Sequence, residues 1–316
     1  APLDPLLGDN PLEGVVSGAQ LGNRIDGTLW RIPLLASVGL LYWRTDLMEQ
    51  PPRTPDQLVS ISRELQNNGA VPWGYLWQGR QYEGLSCVFL EVLQGFGGCW
   101  WQADVEPSIG LDQPAALRAA SWLRTLIEDG ISPRAVGNFA ELEVLQGFEN
   151  GQAAFMRNWP YAWSELQKPG SAVAGKVGVT TMVAKPGQRP AVTQGSWGLS
   201  VVSQSAHPRE AAEVLRYFTS ATSQKRLAID WGYTPTLARV FDDAEVLAAN
   251  PLIPELRRAL DDAVLRPITP LYAQFSDILQ RQLSSLLTGS APVDRAMTRA
   301  SGATAHLLDA AGAGRG

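Results

Sequence analysis

Apolar positions along this chain come in short blocks whose spacing alternates between the two-residue period of strands and the three-to-four-residue period of helices. Thr54 offers a capping hydroxyl, Pro55 suits a first helical position and Gln57 stands three residues after the cap, a capping box. Leu58, Ile61 and Leu65 then share a face, and Gly69 supplies the stop. Asp112 and Pro114 open a second helix, with a stripe of Ala116, Ala120, Leu123 and Ile127 ended by Gly130. Leu142, Leu145 and Phe148 mark another, ended by Gly151; Leu279, Leu283 and Leu286 mark one capped at Ser276 and ended by Gly289. A last helix, from about Pro292 to Leu308, carries Val293, Met297, Ala300 and Leu307. Strands fit residues 28–32, 40–43, 153–157, 176–183 and 197–202, and this alternation predicts an α/β architecture.

The stretch 192–220 is the most informative. Trp197, flanked by Gly195 and Gly198, sits at the mouth of a short apolar strand that feeds a helix. Pro208 suits the first turn of that helix and Glu210 its positive end, and Ala211, Val214, Leu215 and Phe218 fall on one face. No acid, base or nucleophile is built in. The segment offers a flat aromatic surface on a backbone that something can approach closely.

Size and charge narrow the picture. A chain of 316 residues makes two domains or one large one. A net charge of −5 without a Lys/Arg cluster argues against nucleic acid or an anionic membrane as partner. No apolar run is long enough to span a bilayer, and no signal-peptide pattern is present. Cys87 and Cys99, the only cysteines, read as two buried thiols or, in an oxidising compartment, one bridge. With His207 and His306 remote from them, a metal centre is not expected, and no cofactor is implied. Residues 170–176 match a phosphate-binding loop in spacing, but Val177 stands where the magnesium-binding hydroxyl belongs and no helix follows, so this is a structural loop.

The 11 tryptophans change the picture most. Aromatic faces stack on the C–H faces of sugar rings while nearby amides and carboxylates take the hydroxyls, which is how a polar, uncharged ligand is held. Trp197 is the foremost candidate. Asn158-Trp-Pro-Tyr161 follows a strand and Pro160 forces it into a loop, which makes Trp159 and Tyr161 the next. Trp77, Tyr82 and Glu83 lie in a polar aromatic loop before a helix; Glu83 also suits the helix N-terminus. Arg266, in a proline-rich extended path, reaches either a ligand or a hinge ion pair, and Trp231 and Gly195 complete the set. The competing class is a carbohydrate-active enzyme such as a glycosidase, which needs two carboxylates across the scissile bond, with Glu83 and Glu91 as candidates.

Several runs together resemble the extracellular solute-binding proteins of ABC importers, in the carbohydrate-binding group of the maltose- and trehalose-binding proteins. They are Asp26-Gly-Thr-Leu-Trp-Arg-Ile-Pro33, Gly39-Leu-Leu-Tyr-Trp-Arg-Thr-Asp46, Pro52-Arg-Thr-Pro-Asp-Gln-Leu58, Phe148-Glu-Asn-Gly-Gln-Ala-Ala-Phe-Met156, the Trp197 segment, Gly232-Tyr-Thr-Pro-Thr236 and Tyr272-Ala-Gln-Phe-Ser-Asp-Ile-Leu279. Each is weak alone, but all occur in the family order. The resemblance implies a two-lobe periplasmic-binding-protein-like fold of type II with hinge crossings. Residues 1–36 and 200–265 would form the first lobe, 40–198 and 268–309 the second, and 310–316 a flexible tail. It implies a first lobe lacking its front part, because the opening Ala1-Pro-Leu-Asp-Pro-Leu matches a stretch that comes well into that lobe. It further implies a monomer at the periplasm or outer face of the membrane, which captures a disaccharide or small glycoside in an interlobe cleft and delivers it to permease subunits driven by ATPases.

Overall fold

A computed structural model describes residues 1–102 and 108–311. The structure is of mixed α/β type, and its contacts divide it into two compact units. The first is Ala1–Val38, Trp159–Glu165 and Gln194–Leu265; the second is Gly39–Asn158, Leu166–Thr193 and Arg266–Gly316. Like residues 194–198, which carry Trp197, the short segment Trp159–Glu165 therefore packs with the first unit, where the sequence placed both with the second. Pro160 ends the strand before it and lets the chain leave the sheet. The expected tail lies largely outside the described residues.

The second unit is built on a four-stranded sheet in the order Trp73–Leu76, Ala153–Asn158, Leu40–Arg44, Val177–Thr180. Leu40–Arg44 runs antiparallel to both neighbours, with Tyr42 opposite Met156 and Val179, and Trp73–Leu76 runs parallel to Ala153–Asn158. Every residue of Ala153–Asn158 is buried, as befits a central strand covered on both faces. Pro55–Asn67 packs on Trp73–Leu76, and Glu141–Glu149 on Ala153–Asn158. The capping box at Thr54 and Gln57 is formed as expected. Glu83–Gly95 is apolar around most of its circumference and correspondingly buried, wedged against Pro114–Glu128 and Tyr272–Leu287, with Val293–Ala310 behind the last. Ser276 does not cap a helix. The helix starts at Tyr272, and Ser276 lies buried in its interior.

The first unit carries a two-stranded antiparallel sheet, Ile32–Leu35 with Trp197–Leu199. The strand expected over 28–32 is interrupted. Thr28–Leu29 closes a tight hairpin with Arg24–Ile25, whose turn residues Asp26 and Gly27 both have positive φ, the conformation of the favoured two-residue hairpin turn. Leu3, Leu29, Ile32, Val201 and Leu215 form its core, with Ala211 packed alongside. The helix Pro208–Thr219 is where expected, but its inward face is shifted. Ala212 and Leu215 are buried, Leu215 within that core, while Val214 and Phe218 are exposed although the short helix Asp4–Leu7 packs against this helix. Ser220 joins this helix to Ala221–Trp231 and caps the latter through its hydroxyl, and Gly232 ends it in the left-handed conformation. No helix among the described residues is long and apolar enough to cross a membrane.

Candidate functional site

The sequence candidates separate by unit. In the first unit, the backbone of Ala36 and Ser37 organises a group of them. Ser37 O accepts from Gly195 N at 2.7 Å, Ser37 N donates to Ser196 Oγ at 3.2 Å, and Ala36 N donates to Thr234 O at 3.0 Å. Trp197 pairs opposite Leu35, and the register shifts between Trp197 and Gly198. A shift of this kind re-aims a side chain. Trp197 is 70% exposed, so its ring is held out by the backbone rather than packed. Trp159, from the loop after Ala153–Asn158, lies over Gly195, where a Cβ would come within 2.7 Å of its ring. Ser164 fills the space beside Gly232 in the same way. It thereby ties the segment carrying Trp159 and Tyr161 to the turn flanked by Trp231, 69% exposed, and Tyr233. Glycines at 195 and 232 are required by these approaches. These bonds and close approaches join the segments that carry Trp159, Tyr161, Trp197, Trp231 and Tyr233 to the backbone of Ala36 and Ser37. Tyr233 was not anticipated. Its signal was its position next to Gly232 in the Gly232-Tyr-Thr-Pro-Thr236 run.

In the second unit the candidates are differently placed. Trp77 is a correction: it is fully buried, its indole N–H donates to Ser132 Oγ at 3.1 Å, and Ser132 Oγ donates in turn to Tyr75 O at 2.7 Å. A Trp whose ring and polar handle are both satisfied internally is a core residue. Tyr82 precedes the helix Glu83–Gly95, half-buried, with the Arg80 guanidinium 5.2 Å from its ring centre. Burial, with the Glu141 carboxylate adding to it, pushes its phenol above the ordinary range. Glu83 and Arg266 are brought together: Arg266 Nη1 donates to Glu83 Oε1 at 2.6 Å, Tyr272 Oη donates to the same oxygen, and Ser276 Oγ donates to Glu83 Oε2 at 2.6 Å. Both partners of the pair are about one-third exposed.

Glu91, the other carboxylate considered for acid–base chemistry, is fully buried, and both its oxygens are engaged by Arg157, at 2.6 and 3.0 Å. Burial disfavours the charged guanidinium, but the Glu91 carboxylate outweighs it and holds Arg157 above its ordinary range. Glu91 is sealed in the interior with Arg157 and Glu83 is engaged by Arg266, Tyr272 and Ser276, so these two do not face each other across a shared opening as a glycosidase pair must. Residues 170–176 form turns followed by the strand Val177–Thr180, as the loop reading required. Cys87 and Cys99 are both free thiols. Among the described residues no group of His, Cys, Asp and Glu could hold a metal ion.

The mixed α/β architecture agrees with what comparison with known proteins gives. A model of the bacterial extracellular solute-binding proteins matches residues 1–225. The "Probable ABC transporter-binding protein" of Deinococcus radiodurans is 37% identical over 299 residues, spanning 90% of this chain and 70% of that one. Among solved structures, maltose-bound MalE3 of T. maritima matches with a TM-score of 0.88 at 32% identity, over 97% of this chain and 81% of its own. An ABC transporter solute-binding protein from Thermotoga lettingae, bound with α-D-tagatose, matches at 0.86 and 20% identity over 98% and 80%; at that identity the likeness speaks to fold alone. The chain belongs to the family of bacterial extracellular solute-binding proteins. Family and fold are those of binding proteins rather than enzymes.

Proposed function

We propose that this protein is the substrate-binding component of an ABC importer and that it captures a neutral carbohydrate, a disaccharide or small glycoside, on the aromatic side chains of its first unit. The observation that carries this is the exposed, backbone-held Trp197 with Trp159 laid over the neighbouring Gly195. Flat rings suit the C–H faces of a sugar, and the Arg31 guanidinium, which donates to Ser196 O at 3.3 Å, stands beside Trp197 as a donor. Trp197 stacks on a ring; Trp159, Tyr161 and Trp231 complete the surface. MalE3 of T. maritima, at 32% identity, was solved with maltose, which favours a glucosyl disaccharide.

The sugar leaves as it arrived, because the chemistry of the site is recognition. The protein works as a monomer outside the cytoplasmic membrane and hands its cargo to permease subunits driven by ATPases. Its net charge of −5 fits the absence of any nucleic-acid role.

Isothermal titration with maltose, trehalose, sucrose and mannitol, with glutamate and arginine as charged controls, tests the proposal. Saturable binding of a neutral sugar, recovered chemically unchanged, is expected. Binding of a charged control with no response to any sugar would overturn it.

A further inference from the structure

The helix Glu83–Gly95 does more than fill the second unit. The chain passes between its two units at 38/39, 158/159, 165/166, 193/194 and 265/266. The buried carboxylate of Glu91 addresses three of these places. Its Oε1 accepts from Arg157 Nη2 at 2.6 Å and from Thr193 N at 3.1 Å, and its Oε2 accepts from Arg157 Nε at 3.0 Å. Gly39 lies against the same pair, and a Cβ there would collide with both Glu91 Oε1 and Arg157 Nη2. Gly39 N also donates to Thr193 O at 3.1 Å, and Thr193 Oγ1 donates to Cys87 O, one turn earlier on the helix, at 2.9 Å. Gln78 completes the cage, its Nε2 donating to Arg157 O at 3.0 Å. A fourth passage is held by the same helix, where Glu83 receives Arg266. Glu83 and Glu91 stand eight residues apart, about 12 Å along a helix axis.

A buried ion pair is a poor source of stability, since desolvating both charges costs about what their attraction returns. Its placement is what distinguishes this one. Gly39 and Thr193 are the terminal residues of their segments, and Arg157 is one residue from the end of its own. Arg157 precedes Trp159 by two residues, and Thr193 precedes Gly195 by two and Trp197 by four.

We propose that Glu91 is a positioning residue for ligand capture: by holding Arg157 and the Thr193 amide beside Gly39, it fixes the points from which the chain leaves the second unit to carry Trp159 and Trp197. Glu91 touches no ligand. It sets where the ligand-bearing segments begin. This rests on the sugar-binding proposal above for its functional readout, but not for its structural one.

The test replaces the pair jointly, Glu91→Met with Arg157→Met, which removes both charges and strands neither. Melting temperature, amide hydrogen exchange of the peptide containing Thr193, and calorimetric affinity for maltose (or whichever sugar of the panel binds the wild type) are measured together. The joint variant should melt close to the wild type, exchange at Thr193 at least tenfold faster and bind sugar at least tenfold more weakly. Glu91→Gln keeps an oxygen for the Thr193 amide, so it should retain protection there and lose less affinity. A folded joint variant with unchanged exchange at Thr193, or with faster exchange and wild-type affinity, overturns the proposal. The wild type also tests it without any substitution: if Thr193 exchanges as fast as the exposed loop 186–189, there is no anchor. Failure of every sugar to bind the wild type would instead refute the sugar proposal, and the exchange measurements would still decide the anchoring.

Discussion

Replacing Trp197 by Ala separates recognition from folding more cleanly than any other change in this chain. A Trp side chain presents roughly 150–250 Å², and Trp197 is 70% exposed. One face of the accessible part is therefore about 70 Å², which at about 25 cal/mol per Å² is worth about 2 kcal/mol when covered by a ligand. That corresponds to a roughly 30-fold loss of affinity. Stability should hardly move, because so little of the ring is packed and its place is set by the register shift next to Gly198 and by the bonds of Gly195 and Ser196 to Ser37. Calorimetry with maltose or the tightest-binding sugar, alongside a melting curve, reads both quantities. Undiminished affinity would remove Trp197 from the site. A large drop in melting temperature would show that the ring is a packing element after all.

Trp77→Ala should do the reverse: loss of a fully buried Trp costs about 3–5 kcal/mol and leaves Ser132 without its donor, so melting falls by roughly 10 °C or more while the folded fraction binds sugar normally; a shift of under 2 °C would contradict its core role. Burial pushes the Cys87 thiol up to about 12, so iodoacetamide at pH 8 should leave Cys87 unmodified in the native protein and modify it in denaturant, as peptide mass spectrometry can read. Arg44 hydrogen-bonds Asp46 and, against the opposing effect of burial, holds its carboxyl below the ordinary value of 3.8. The folded value is the depressed one, so this contribution is present above 3.8 and is lost as pH falls through the folded value. Asp46→Asn should accordingly destabilise at pH 7 by no more than about 1 kcal/mol, since Asp46 is partly exposed, and match the wild type near pH 2 in a denaturant titration; an equal deficit at both pH values would refute the assignment.

Local punctuation was the most legible part of the fold. Gly69, Gly130, Gly151 and Gly289 were expected as helix stops, and each takes a positive φ that other residues avoid. The Thr54 box and the proline starts at Pro55, Pro114 and Pro208 follow from equally local chemistry. What the sequence hid depends on three-dimensional partners. Val214 and Phe218 share a helical face with Leu215, yet of the three only Leu215 meets the core, because how far the core covers that face is not written in periodicity. Leu142 is likewise exposed although Leu145 and Phe148, its stripe-mates, are buried. Trp77 and Trp197 look alike as aromatic residues close to glycines, but whether a ring is roofed over depends on Ser132 and Tyr75 in one case and on a strand irregularity in the other. The short strand Trp73–Leu76 carries Gly74 and no alternation, so nothing in its pattern announced it.

The irregularity between Trp197 and Gly198 also bears on how such a protein can diversify. The orientation of position 197 is set by the main-chain pairing of its own strand and by the Gly195 and Ser196 bonds to Ser37, and its side chain is mostly exposed. Selection can therefore exchange the residue there without renegotiating the scaffold beneath. Neighbouring Gly195 has no such liberty, because Trp159 occupies the space any larger residue would need. Descendants of this chain that acquire new cargo should thus vary at 197 long before they vary at 195.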